Sequence, residues 1–217
     1  MNNPNYIAIE GVIGAGKTSL ATKIAERLNA KLILEKFEEN PYLEKFYEQP
    51  DKYAFRTQIY FLLERYTHLV GLLQEDLFQS HIVSDYIFEK DKIFAYLNLN
   101  DSELKLYETL AFTLDKNIII PDLVVYLQSS VERLMANIRM RNRDIENQMS
   151  ESYIEELNEA YNYFFSRYKN SKVMIVNCDE VDFVNSDEDF EDLFHEICKE
   201  DHPATEYYNP TLRKKAQ

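Results

Sequence analysis

The sequence predicts an α/β fold, a five-stranded parallel sheet flanked by helices. Short apolar runs alternate along the chain with stretches whose apolar residues recur every three to four positions. That is the pattern of strands buried on both faces beneath a layer of helices. The first run, Tyr6 to Ile9, passes through Glu10 into Gly11-Val12-Ile13-Gly14-Ala15-Gly16-Lys17-Thr18, and a helical pattern opens at once. The chain holds four glycines, and three of them lie in that octapeptide, so the backbone needs its freedom there.

The elements follow in order. Thr18 to Leu28 repeats Leu20, Ala21, Ile24, Ala25 and Leu28 at helical spacing, and Lys31 to Leu34 reads as a second strand. Pro41 to Tyr47 and Tyr53 to Glu75 read as helices, the second long and rich in aromatics. His81 to Ser84 is a third strand, followed by helices near Asp91 to Leu97 and Ser102 to Asp115. Leu123 to Leu127 is a fourth strand after Pro121-Asp122, and Val131 to Arg139 is a helix running into Arg139-Met140-Arg141-Asn142-Arg143. Glu151 to Arg167 is helical, Val173 to Val176 is the fifth strand, and a last helix lies near Phe190 to Cys198. No linker divides the chain, so one domain is expected over residues 1–200, with a polar, poorly ordered tail over 201–217.

The formal net charge is −14, which opposes a nucleic-acid polymer or an anionic membrane as the main partner. No apolar run is long enough to span a bilayer, and the first residues lack the basic-then-apolar order of a secretory signal. Cys178 and Cys198 have no metal-ligand spacing and read as reduced thiols. The expectation is a cytoplasmic protein.

Gly11 to Thr18 matches G-x-x-x-x-G-K-[ST] in the setting that motif requires, after a strand and before a helix. It narrows the fold to the P-loop NTP hydrolase-like class. Gly11, Gly14, Ala15 and Gly16 turn backbone N–H groups toward phosphate oxygens, at the positive end of the following helix. Lys17 reaches the outer phosphates, and the Thr18 hydroxyl suits Mg²⁺. ATP and Mg²⁺ are the expected cofactors.

In a parallel sheet the strand C-termini line the ligand crevice, which places Glu35 and Asp85 on the same edge as the glycine loop. Glu35 could accept a hydroxyl proton during phosphoryl transfer; the bland alternative is a solvated loop acid beside Glu38 and Glu39. Asp85 could serve Mg²⁺ or merely form a turn. Arg139, Arg141 and Arg143 crowd into five residues of an acidic chain. They suit a closing lid that stabilises phosphoryl charge, the alternative being a solvated helix end. Gln58 and Arg65, seven apart on one helix face, suit a nucleobase edge, although each alone reads more readily as a surface polar group. Phe55, Phe61, Phe88 and Phe94 default to core.

These residues resemble the deoxynucleoside kinase family over about residues 5–198. Ile7 to Thr18 is similar to its first strand and phosphate loop. Leu34-Glu35-Lys36-Phe37, Glu39-Asn40-Pro41-Tyr42-Leu43 and Phe46-Tyr47 are similar to its second block. The resemblance implies that Glu35 is the base for the sugar 5′-hydroxyl and that Tyr47 holds the 3′-hydroxyl. It implies that Gln58 with Arg65 reads the base and that Phe94 stacks on it. Arg141-Asn142-Arg143-Asp144-Ile145-Glu146, with Tyr153 and Leu157 beyond, resembles the family's lid. Arg141 and Arg143 would then contact phosphates, Glu146 would help hold the sugar, and Asp179 to Asp187 would border the ATP adenine. One departure stands out. The family carries an acidic residue, arginine and serine after the third strand, whereas this chain has Ser84-Asp85-Tyr86. Asp85 would take the acidic role with a one-residue shift, and Lys90 or Lys92 would supply the cation.

The expected activity is therefore transfer of the ATP γ-phosphate to a deoxynucleoside, with purines such as deoxyadenosine favoured by Gln58 and Arg65, and the family implies a homodimer. One rival is a thymidylate-type monophosphate kinase, whose anionic acceptor needs cations rather than a carboxylate base. The other is a nucleotide-binding regulatory protein without catalysis, which would not need Tyr47, Gln58 and Glu146 together.

Overall fold

A computed structural model describes residues 4–75, 81–116, 118–143, 146, 149–179 and 181–209. Its centre is strand β1 (Tyr6–Gly11), buried at every position. β2 (Lys31–Ile33), β3 (Ile82–Ser84), β4 (Leu123–Gln128), β5 (Lys172–Asn177) and β6 (Thr205–Tyr208) complete one sheet in the order β2-β3-β1-β4-β5-β6. Every pairing is parallel. Around it lie α1 (Lys17–Leu28), α2 (Leu43–Glu48), α3 (Pro50–Glu75) and α4 (Lys90–Asn98). α5 (Asp101–Asp115), α6 (Val131–Arg141), α7 (Glu151–Phe165) and α8 (Asp187–Ile197) follow. Among the described residues no helix is long and apolar enough to cross a membrane.

Local chemistry sets the helix ends. α3 opens on Pro50, whose fixed φ suits a first helical position. Asn100 and Glu103 cap α5 reciprocally, and the hydroxyls of Ser130, Ser150 and Ser186 accept from the first turns of α6, α7 and α8. α1 and α6 end on asparagines in the left-handed region, Asn29 and Asn142. Continuous apolar runs in β1 and β4 are what a strand covered on both faces requires. On one face Tyr126 stacks on Phe165 with centroids 4.4 Å apart, tying the sheet to α7.

The sheet has six strands where the sequence predicts five. Thr205–Tyr208, inside the stretch read as a polar tail, adds to the edge beside β5. Tyr208 is its one buried side chain. The rest is held by charge: Glu206 accepts from Lys199 and faces His202, whose other ring nitrogen meets the Ile197 carbonyl at 3.1 Å. A four-residue edge strand dressed with charged and polar groups carries no apolar signal. Residues 210–217 lie outside the described residues, as do Asp144, Ile145 and Glu180 of the segments discussed above.

β1 has β3 on one side and β4 on the other, so the chain order reverses across it. The crevice beyond the strand C-termini at such a reversal is where open α/β sheets bind ligands.

Candidate active site

The loop from β1 to α1 occupies that crevice. Ala15 N–H donates to the Val12 carbonyl at 3.0 Å, and the Lys17 ammonium reaches the same carbonyl at 3.0 Å. Gly14 (φ 89°) and Gly16 (φ 93°) lie in the left-handed region. A Cβ at Gly14 would stand 2.7 Å from the Leu134 carbonyl, and one at Gly16 2.9 Å from the Phe183 ring. The loop is therefore clasped by α6 and by the segment after β5. Asn137 on α6 donates to the Gly14 carbonyl at 2.8 Å, and Lys23 on α1 donates to the Phe183 and Val184 carbonyls. Arg133 donates to the carbonyls of Asp179 and Val181, which straps the expected adenine loop beside the glycines.

Asp85, just past β3, ties the first turn of α1 to the chain just past β2. Its Oδ2 accepts from the Thr18 hydroxyl at 2.6 Å, and its Oδ1 accepts from the Glu35 N–H at 2.8 Å. No cluster of three or more His, Cys, Asp or Glu residues among the described residues could hold a metal alone. The pairing of one hydroxyl with one carboxylate beside a phosphate loop fits Mg²⁺, which takes few protein ligands and completes its shell with water and phosphate.

Glu35 projects into the cleft rather than into solvent, its side chain 15% exposed. Arg65 grips Oε1 with Nε at 2.9 Å and Nη2 at 2.6 Å, while the Lys90 ammonium meets Oε2 at 2.5 Å. Arg65 is itself fixed by Asp91, whose Oδ1 accepts from Nη1 at 2.6 Å. Burial alone would raise the Glu35 carboxyl, but the Lys90 and Arg65 charges outweigh it and hold the group at about 2. Asp91 goes the other way: its burial outweighs the Arg65 charge and the Arg65 and Tyr107 hydrogen bonds and lifts it to about 6. Lys17 is pushed down to about 8 by burial and by the nearby Lys90, against the pull of Glu10, Asp85 and Glu35. Glu10, fully buried, accepts from the Gly11 and Ile87 N–H groups.

The cleft has an empty volume of about 870 Å³, the open solvent at its mouth included. Lys17, Thr18, Glu35, Tyr47, Gln58, Arg65, Asp85, Phe94, Arg141, Arg143 and Glu146 all line it. Gly11, Ala15 and Gly16 form the loop behind. Arg139 is exposed and does not line the cleft, because it lies two residues before Arg141 on α6 and faces elsewhere. Arg141 donates to both oxygens of buried Glu146 at 2.8 Å, and Arg143 lies 3.6 Å from the same carboxylate and over the Phe37 ring. Of the two lysines considered, Lys90 reaches Glu35, whereas Lys92 does not line the cleft. Asp91 and Thr57 escaped the sequence reading. Asp91 looks like an ordinary acid in a helix's first turn, and a lone threonine inside an apolar helix carries no pattern.

The arrangement puts an anion-binding loop, a cation-clamped carboxylate and a flat apolar wall around one cleft. Residues 7–201 match the deoxynucleoside kinase family. The chain belongs to that family. It is thus a phosphotransferase acting on a hydroxyl group. It is 33% identical over 196 residues to the deoxyguanosine kinase of Bacillus subtilis, covering 88% of this chain and 95% of that protein. To the same organism's deoxyadenosine/deoxycytidine kinase it is 30% identical over 203 residues, covering 89% and 91%. The solved deoxyadenosine kinase of M. mycoides with bound dATP superposes with a TM-score of 0.76 at 26% identity, covering 88% of this chain and 98% of that one.

Proposed function

We propose that this deoxynucleoside kinase transfers the γ-phosphate of ATP to the 5′-hydroxyl of a purine deoxynucleoside, deoxyadenosine first, in cytoplasmic nucleotide salvage. The observation that carries the reading is the Glu35 carboxylate, held in the cleft on the same sheet edge as Lys17 and the glycine loop. A carboxylate base suits an uncharged alcohol. It would repel the already anionic acceptor of a monophosphate kinase.

In this mechanism the loop amides and Lys17 hold the triphosphate, and Thr18 with Asp85 would hold Mg²⁺. Mg²⁺ bound there would neutralise phosphate charge. The 5′-hydroxyl approaches Glu35 Oε2, where Lys90 stands with further N–H donors free to turn toward it. The hydroxyl proton passes to Oε2 as the oxygen–phosphorus bond forms, and the bond to the β-phosphate oxygen breaks with its electron pair leaving on ADP. As the Lys90 ammonium shifts toward the reacting oxygens, Glu35 loses part of the charge that kept it a weak base, so proton transfer eases as charge develops. Arg141 and Arg143 would leave Glu146 to meet the phosphates, and Glu146 and Tyr47 would take the sugar. Burial, then the charges of Tyr153, Glu146 and Glu35, push the Tyr47 phenol well up, so it stays a proton donor for the 3′-hydroxyl. Gln58 reads the base against Phe94. Arg65, tied to Glu35 and Asp91, links the base wall to the base catalyst.

Half-exposed Leu63 on α3 and Leu106 and Phe112 on α5 support pairing of two copies through these helices. The central test is Glu35→Gln, assayed with ATP and a panel of deoxynucleosides. Turnover should fall ~10²-fold or more with ATP binding kept. Equal turnover in both proteins removes Glu35 from the mechanism, and a wild type that prefers a monophosphate acceptor removes the proposal.

A further inference from the structure

Threonines inside helices usually turn their hydroxyl back to the carbonyl four residues earlier. Those of this chain do so repeatedly. Thr22 on α1 bonds the Thr18 carbonyl at 2.7 Å, and Thr67 on α3 bonds that of Leu63 at 2.8 Å. Thr109 and Thr113 on α5 bond those of Lys105 and Thr109 at 2.9 and 2.8 Å. Thr18 on α1 gives its hydroxyl to Asp85 instead, and Thr57, also on α3, departs further. It is 1% exposed, and its hydroxyl has no hydrogen-bond partner. It lines the cleft. Its neighbour Gln58, 2% exposed and also lining the cleft, has an unpartnered side-chain carbonyl.

A buried polar atom without a partner is unfavourable and rare. Two on consecutive residues, both facing one cleft, describe a site that a ligand completes. Leu43, Phe46, Phe61 and Phe94 line the same cleft and suit the face of a flat ring, and Tyr153, also lining it, carries a third unpartnered buried polar atom, its hydroxyl. Thr57 and Gln58 differ from Tyr153 in offering two such atoms on consecutive residues, a pair that one polar ring edge can meet. A Gln carbonyl only accepts, and a hydroxyl accepts as readily as it donates. The group that satisfies two neighbouring oxygens is an amino group with two N–H donors.

We propose that the Thr57 hydroxyl is a specificity-determining group which, with the Gln58 carbonyl, binds an exocyclic amino group of the nucleobase. This rests on the proposed nucleoside site and names the chemistry it selects: adenine, guanine and cytosine carry such a group, and thymine does not. Thr57 thereby becomes a position where base preference is tuned without touching Glu35, Lys90 or the phosphate loop.

The experiment compares substrate pairs that differ only in the amino group, on full-length wild type, Thr57→Val and Thr57→Ser. The pair follows the base that the wild type takes: deoxyadenosine with purine 2′-deoxyriboside, deoxyguanosine with 2′-deoxyinosine, or deoxycytidine with its 4-deamino analogue. Val matches the shape of Thr without the hydroxyl, and Ser restores the hydroxyl. Val should lower kcat/KM for the amino-bearing substrate ~10-fold and leave its deamino partner within threefold, and Ser should recover most of the loss. Equal losses on both members of a pair, or none on either, overturn the proposal, since a packing role or a structural water would be blind to the amino group. A wild type that phosphorylates only thymidine also overturns it. A wild type that prefers deoxycytidine refutes the purine preference alone, and the Thr57 comparison then stands on the cytosine pair.

Discussion

Replacing Lys90 by methionine removes one charge from the most crowded part of the cleft, and its effects run in opposite directions. The ammonium nitrogen lies 2.5 Å from Glu35 Oε2, and the two side chains are 6% and 15% exposed. At 2.5 Å and an effective dielectric of about 20 such a pair attracts by about 7 kcal/mol. Methionine avoids the cost of burying an ammonium, and Arg65 still grips the other oxygen, so the net loss of stability should be about 2 kcal/mol. For a chain of this size that lowers Tm by about 4–8 °C. Turnover should fall ~10²–10³-fold, because the cation beside the reacting oxygens is gone. Nucleotide binding should improve at alkaline pH. Lys17 sits at about 8 through burial and then the Lys90 charge. The triphosphate prefers Lys17 protonated, so wild-type affinity declines as pH rises through about 8. Without its like-charged neighbour Lys17 titrates higher, and the decline starts later. Steady-state kinetics at pH 7.5 and nucleotide titrations from pH 7 to 9.5 measure both effects. A kcat within threefold of wild type, or an alkaline decline that stays near pH 8, refutes the electrostatic account of the site.

Gly16→Ala forces a Cβ into the left-handed region and within 2.9 Å of the Phe183 ring, at a strain of about 1–2 kcal/mol. The KM for ATP should rise at least ~10-fold with the nucleoside KM little changed, and an unaltered ATP KM would contradict the assigned loop. Glu206→Ala strips one of two partners each from Lys199 and His202 at the sheet edge. It should cost about 1–2 kcal/mol in thermal or urea unfolding with kcat preserved, since β5 and β4 stand between β6 and β1.

The glycine loop was legible because positive φ is a demand that few residues meet, so the sequence must declare it. Glu35 and Asp85 were legible because parallel strands end on one edge, and position after a strand is readable without coordinates. What Glu35 touches was not. Arg65 lies thirty residues away on α3 and Lys90 fifty-five away on α4, and no local pattern announces a pairing across elements. The partners of Arg65, Glu35 and Asp91, are tertiary in the same way. β6 stayed hidden because its order comes from charge pairs with the preceding turn rather than from an apolar run.

Asp85 gives the cleft an unequal capacity for change. One carboxylate fastens the Thr18 hydroxyl and the Glu35 main chain, so in the proposed reaction the nucleotide and alcohol sides would share a single rivet. Any drift there disturbs both substrates together and is hard to compensate. The opposite wall, on α3, hangs free of that rivet at Thr57 and Gln58. Variation among descendants of this enzyme should therefore accumulate on one side of the cleft, with new nucleobases admitted while the transfer chemistry stays fixed.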